Sequence, residues 1–176
     1  MATNLHFIKS ASMVSGSSTL NITNVFSAEY NIYKIVSYGI STVGTTQTDP
    51  DLRFINASDS VVSDTDYDYA HQIMRADASF TEQRPTGEDE LYRFFGESVD
   101  QGTETNTQVS YIINPFSSST YTFAIYKSMV AAAGLKIGMK GIGVLKQAAS
   151  MTGFQVKDNT GSRPFAGGEF SVYGVR

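Results

Sequence analysis

The amino-acid sequence predicts an all-β chain folded as an antiparallel β-sandwich or jelly-roll. Three observations carry that expectation. Aromatic residues make up 12% of the 176 positions and charged residues only 17%, with Ser and Thr abundant, so the Glu, Lys, Ala and Leu mixture of long amphipathic helices is thin. Apolar side chains alternate with a period of two along about nine or ten short segments. Turn-rich stretches separate those segments, and none alternates with a long helical pattern. A sheet with an apolar face must cover that face, and a second sheet is the natural cover.

Taken in order, Thr3–Lys9 reads as a short strand with Leu5 and Phe7 on one side, followed by a Ser/Gly-rich connector to Ser18. Leu20–Val25 is a second short strand. Glu29–Ile40 is dense in Ile, Val and Tyr and apolar on both faces near its centre, which marks a central strand. Asp51–Asn56 follows with Leu52 and Phe54 inward. Tyr67–Phe80 mixes helical and alternating spacing, and strand is the preferred reading from about 69 to 76. Thr81–Gly102 is a polar excursion with one hydrophobic anchor, Leu91, Tyr92, Phe94 and Phe95.

Gln108–Asn114 ends at Pro115, which cannot donate to a ladder, and pairs as a hairpin with Thr120–Tyr126 across a Ser-rich turn. Met129–Gly134 reads as a loop or a single helical turn. Lys140–Leu145, Ser150–Val156 and Glu169–Val175 close the chain as strands, with an irregular connector over Gly161–Gly168. In domain terms, residues 1–18 form a strand and arm. Residues 19–176 form one β-sandwich domain with a long polar loop at about 81–107.

Composition removes several classes of function. Cys is absent, so there is no disulfide framework, thiol nucleophile or Cys-ligated metal. A net charge of −4, with scattered Lys and Arg, argues against nucleic-acid binding and against a polybasic membrane surface. No apolar run approaches a bilayer span, and the opening residues lack the pattern of a secretion signal. A soluble protein made in the cytoplasm is expected.

The motifs that could carry chemistry are few. His6 and His71 are the two histidines. No strained nucleophile turn accompanies them, so both read as structural. The glycines at 134, 138, 141 and 143 match no phosphate-binding pattern and read as close packing of backbone at a sheet edge or bulge, or as contact with a neighbour. Asp64, Asp66 and Asp68 resemble the opening of a calcium loop. Tyr69 and Arg75 stand where that loop needs Gly and Glu, which leaves these three as weak metal candidates in a solvated loop. Glu88, Asp89 and Glu90 could supply an acid pair for glycosidic cleavage, but nothing marks a partner. The expectation is no catalytic residue, no cofactor and no enzyme activity. Leu5, Phe7, Tyr92, Phe94 and Phe95 are the interface candidates.

The closing stretch is the most distinctive. Met151-Thr-Gly-Phe154, followed by Phe165-Ala-Gly-Gly-Glu-Phe170-Ser-Val-Tyr-Gly-Val175, resembles the ending of bacteriophage virion proteins in which a Tyr-Gly strand closes a β-sandwich. Asp51–Ala70 and Ser110–Tyr126, with its Asn-Pro turn, are similar to the same proteins. The resemblance runs from about Tyr30 to Arg176 and points to tail-fibre, baseplate or capsid-surface components of marine and cyanobacterial phages. It implies a virion subunit made in the host cytoplasm that contacts other virion proteins and forms a homo-oligomer, a trimer being one arrangement. Capsid decoration, or recognition of a host surface glycan, is the alternative.

Overall fold

The computed structural model describes residues 4–45, 47–76, 80–97, 99–100, 106–132 and 135–176. Twelve strands follow in chain order: β1 (Leu5–Ser12), β2 (Thr19–Ile22), β3 (Ile32–Thr42), β4 (Pro50–Asn56), β5 (Tyr67–Arg75), β6 (Thr81–Gln83), β7 (Thr86–Glu88), β8 (Asn106–Ile113), β9 (Thr122–Ala132), β10 (Leu135–Leu145), β11 (Met151–Asp158) and β12 (Phe165–Val175). No helix occurs among the described residues. The fold class is therefore the expected one, an all-β antiparallel sandwich.

The two layers are unequal. The large sheet runs β1-β12-β3-β8-β9-β10-β5-β6, with β7 also paired to β5. The small sheet has three strands, β2-β11-β4. Period-two alternation decides which side chains meet between them. From the large sheet come Tyr33, Ile35, Ile112, Tyr126, Met139, Phe170 and Val172; from the small one come Ile22, Leu52, Phe54, Phe154 and Val156, all buried. Aromatic rings run through the layer in sequence. Tyr33 meets Phe26 at 4.9 Å between centroids, Phe26 meets Phe154 at 6.1 Å, and Phe154 meets Phe95 at 6.2 Å. Phe95 then meets Phe94 at 4.9 Å, and Phe94 meets Tyr126 at 4.7 Å.

Three strands cannot roof so wide a sheet. The chain from Leu91 to Phe95 completes the roof. Leu91 and Leu52 exchange backbone hydrogen bonds, and Phe95 N–H donates to the Pro50 carbonyl, so the segment lies along the free edge of β4. Leu91, Phe94 and Phe95 are fully buried there. The polar excursion is thus a structural strap anchored by apolar side chains. The glycines of β10 make room beneath it. A Cβ on Gly143 would sit 2.7 Å from Leu91 Cδ2, and one on Gly141 would sit 2.3 Å from the Tyr126 ring. Gly141 and Gly143 are thus closely packed against side chains, in a strand paired on both sides and not at a sheet edge or bulge; Gly134 lies outside the described residues.

Two sequence expectations change. Met129–Gly134 is not a loop as far as Ala132. It is the second half of β9, paired with β8 on one side and β10 on the other. Local composition hides this because Ala and Gly are poor strand formers, and the pairing on both sides overrides propensity. The expected N-terminal strand is longer than read from the sequence, since β1 is an edge strand hydrogen-bonded to β12 from Leu5 to Ser12. Thr3 lies outside the described residues.

Replacing Gly141 with Ala forces backbone or ring displacement and should cost roughly 1–3 kcal/mol, the range for overpacking a dense core. Gly138→Ala in the same strand meets only the flexible Met74 Cε, at 3.3 Å, and should cost far less. Urea denaturation midpoints of the two variants check the difference.

Candidate interaction surface

The two sheets treat their outward faces differently. The small sheet turns Asn21, Arg53 and Gln155 outward, and Gln155 donates to Asn21 at 2.8 Å. That is the ordinary hydrophobic-in, polar-out arrangement of an antiparallel sheet. The large sheet is apolar on both faces. Its outward side chains form cross-strand rows fixed by register. One row is Leu5, Val175, Ile32, Ile113, Phe123 and Val144, across β1, β12, β3, β8, β9 and β10. The next is Phe7, Tyr173, Lys34, Tyr111, Ile125 and Ile142. Phe7 is 53% exposed, Ile125 47%, Ile142 59% and Met129 66%.

Two depressions mark this face. One, of about 570 Å³, has a floor of Ala70, Ile113, Phe123, Ile125, Ile142 and Val144 and a wall from Arg84–Thr86. The other, of about 560 Å³, lies over Met74, Thr107, Val109, Met129 and Gly138, beside Lys127 and Lys140. A free monomer seldom exposes a contiguous apolar patch of more than about 300–600 Å². Here apolar side chains line up in rows that cross six strands.

The sequence-predicted residues divide between this surface and the interior. Leu5 and Phe7 belong to the outer face. Phe94 and Phe95 do not reach any surface, because they are core residues of the strap. Tyr92 is half-buried, donates to Asp49 Oδ2 at 2.6 Å and carries the Arg93 guanidinium 4.7 Å over its ring. Its hydroxyl pKa is pushed up to about 12 by burial and by the Asp49 carboxylate. The excursion's aromatic anchor therefore faces its own chain, and the interface reading of Phe94 and Phe95 is corrected. Alternation cannot distinguish an anchor that plugs its own core from one that plugs a neighbour's.

The acidic clusters are also internally engaged. Asp68 accepts from Lys146 at 2.8 Å and from the Gly87 amide, which hold its pKa below the ordinary carboxylate value. Gln147 donates to both Asp64 and Asp66. Among the described residues, no group of three or more potential metal ligands converges. Asp89 pairs with Arg53, and Glu90 pairs with Lys157 at 2.5 Å. Glu88 is at the end of β7. His6 Nδ1 lies 2.6 Å from the Tyr30 hydroxyl. His71 is buried, 3.1 Å from the Tyr126 hydroxyl and 3.0 Å from Gln83 Oε1, and burial lowers its pKa. Of these groups His71 is buried, while His6 and Asp64 are exposed and Asp68 borders the outer-face depression.

The strap's ion pairs form a chain. Arg75 meets Glu97 at 2.5 Å, Glu97 meets Arg93 at 2.8 Å, and Arg93 meets Asp49 at 3.0 Å. Asp51, fully buried, accepts the Arg93 amide at 2.7 Å and lies 3.7 Å from Lys157. Burial and the nearby Glu90 charge raise its pKa well above the ordinary 3.8.

Sequence reasoning missed the centre of the outer face, namely Val109, Tyr111, Met129 and Ile142. The signal was available in strands of an antiparallel sheet that are apolar on both sides.

No family model matches the chain, and no curated protein does. Among solved structures it is similar to a marine alginate lyase from Aplysia kurodai, at 6% identity and a TM-score of 0.39, over 86% of this chain and 71% of that one. It is also similar to the endo-β-1,4-glucuronan lyase of Trichoderma reesei, at 8% identity and a TM-score of 0.31, over 95% and 79% of the two chains. A Bacillus endospore appendage protein matches at 8% identity and a TM-score of 0.30, over 99% and 95%. Identities this low carry no function across to this chain.

The raised pKa of Asp51 sets a pH dependence. The folded state holds this proton more tightly than the unfolded state, so the contribution of Asp51 is full below 3.8 and is lost as pH rises through the folded-state value. Asp51→Asn keeps an acceptor for the Arg93 amide and removes the titration. Its melting temperature relative to the parent should therefore rise from acid to neutral pH. A constant difference across that range, read by calorimetry, counts against this account.

Proposed function

We propose that the protein is a non-enzymatic structural subunit of a larger assembly, held there by protein contacts through the outer face of its large sheet. The virion-like closing stretch suggests a phage particle as that assembly, at the tail or its fibres, with the capsid exterior as the other location. One observation carries the reading: the large sheet is apolar on its solvent-facing side, in register-aligned rows from β1 to β10. Sheet edges are the other common route to assembly, and both are blunted. β1 carries a bulge between Phe7 and Lys9, and β6 is a three-residue strand with every side chain exposed. Contact by face is what remains.

A glycan-binding module is the second reading, favoured by the exposed rings of Phe7, Tyr111, Tyr121 and Phe123. Sugar recognition also needs several hydrogen-bonding groups among the rings. The central rows offer Lys34, Lys127, Lys140, Thr107 and Gln72 in a largely aliphatic floor, which suits a protein surface better.

Ile125→Asp with Ile142→Asp sets two carboxylates at the centre of the face. Fully burying an Ile side chain is worth about 1.5–3 kcal/mol. The double variant should therefore bind its assembly at least about 100-fold more weakly. Both positions lie outside the core but directly opposite each other in the ladder, so the melting temperature should fall only by the modest cost of an opposed like-charge pair. Particles purified from cells that express the chain from its native genome should contain the parent in fixed copy number and shed the variant. A parent protein found only in the soluble fraction, monomeric by light scattering, overturns the reading.

A further inference from the structure

At the centre of the outer face, Lys127 of β9 and Lys140 of β10 stand directly opposite each other in the antiparallel ladder. Directly opposed side chains in such a ladder have Cβ atoms about 4.5–5.5 Å apart, and like charges there destabilise the pair. Both lysines are exposed, and among the described residues neither pairs with a carboxylate. Their row continues through Gln72 to Glu82, which faces Arg84 at 3.8 Å. The chain as a whole is acidic, with 17 Asp and Glu against 13 Lys and Arg. The middle of its apolar face is nevertheless cationic.

We propose that this lysine pair reads a carboxylate, and that the occupant of the face is an extended segment of another protein in which an Asp or Glu stands two positions from apolar side chains, so that all of them share the side turned to the sheet. This deepens the assembly reading and rests on it. A carboxylate over the pair cancels a repulsion that the isolated chain carries, while Val109, Ile125, Met129 and Ile142 around it take the apolar neighbours. Charge-assisted hydrogen bonds in such partly dry surroundings are the strong kind. A second copy packed face to face about a two-fold axis through the pair sets lysines against lysines, with Glu82 two strands away from them in the same row. That arrangement buries unpaired ammonium groups, which is costly. An anionic polysaccharide brings carboxylates but finds aliphatic floor where its hydroxyls need partners.

The test uses synthetic seven-residue peptides, Ser-Leu-Ser-X-Ser-Leu-Ser with X as Glu, Gln or Lys (the Leu-Glu, Leu-Gln and Leu-Lys peptides), each end-blocked and fluorescent, so that Leu and X share one face of the extended chain; they are titrated with the full chain by anisotropy. The Leu-Glu peptide should bind about tenfold tighter than the Leu-Gln peptide, a preference that added salt erodes. Lys127→Met with Lys140→Met keeps an unbranched stem and should abolish the preference while leaving apolar binding. Lys127→Glu with Lys140→Glu should transfer it to the Leu-Lys peptide. Equal binding of the Glu and Gln peptides by the parent overturns the proposal, as does a preference that survives both lysine variants. Competition by oligoguluronate better than by the Leu-Glu peptide overturns it in favour of an anionic glycan. Tighter self-association of the Met variant, with no peptide preference, overturns it in favour of a second copy. Ile125→Asp with Ile142→Asp separates the two levels. If it leaves all peptide binding intact, the docking face itself is wrong. If it abolishes binding while the lysine variants change nothing, only the carboxylate reading fails.

Discussion

The constraint that organises this protein is the unequal width of its two sheets. The inner face of the large sheet must be dry, because Tyr33, Ile35, Ile112, Tyr126 and Phe170 line it, and the strands β2, β11 and β4 are too few to cover it. The chain solves this with an irregular segment. Leu91, Phe94 and Phe95 fill the layer beside β4, and β10 gives up side chains at Gly141 and Gly143 to admit Tyr126 and Leu91. Packing of this density leaves little freedom. The strap is consequently held from its other side as well, by a run of charged partners.

That run explains why so many ionisable groups are withdrawn from water. Glu97 bridges Arg75 and Arg93, and Asp49 takes both Arg93 and Tyr92. These contacts fix the strap backbone against β4. Buried ion pairs give modest net stability, since desolvation offsets attraction, but removing one partner strands the other. Their value here is positional. They set where the apolar plugs sit, so the core beneath the strap has one arrangement. Asp51 pays for its place in that arrangement with a perturbed proton affinity.

With the inner face sealed by the strap, the outer face has no comparable cover among the described residues, and its rows are largely apolar around a few lysines. The edges of the same sheet are guarded by a bulge and by polar residues, so the exposure is confined to the face. The lysine pair on β9 and β10 gives that face a chemical polarity that a purely aliphatic patch lacks.

Much of the architecture was legible in the sequence. Glu29–Ile40, Asp51–Asn56, Gln108–Asn114 and Ser150–Val156 announce themselves by alternation, and β3, β4, β8 and β11 occupy those stretches within a few residues. The hairpin of β8 and β9 follows from Pro115 and the serines after it. The second half of β9 and the first half of β10 were hidden, because Ala and Gly lack the β-branched signature and only neighbouring strands hold them extended. Leu5 and Phe7 were found as surface apolar residues. Tyr92, Phe94 and Phe95 were found as an anchor, of which Phe94 and Phe95 lie in the chain's own core and Tyr92 is half-buried beside Asp49.

The sequence by itself determined that these segments are strands, that their partners are antiparallel, and that the excursion is tethered by aromatic residues. Only the tertiary structure decided which face of each strand is inside. Period-two alternation separates a strand's two faces, but it does not rank them when both are apolar. The ranking depends on how many strands join each sheet, and pairings such as β3 with β12, or β5 with β10, join residues far apart in the chain.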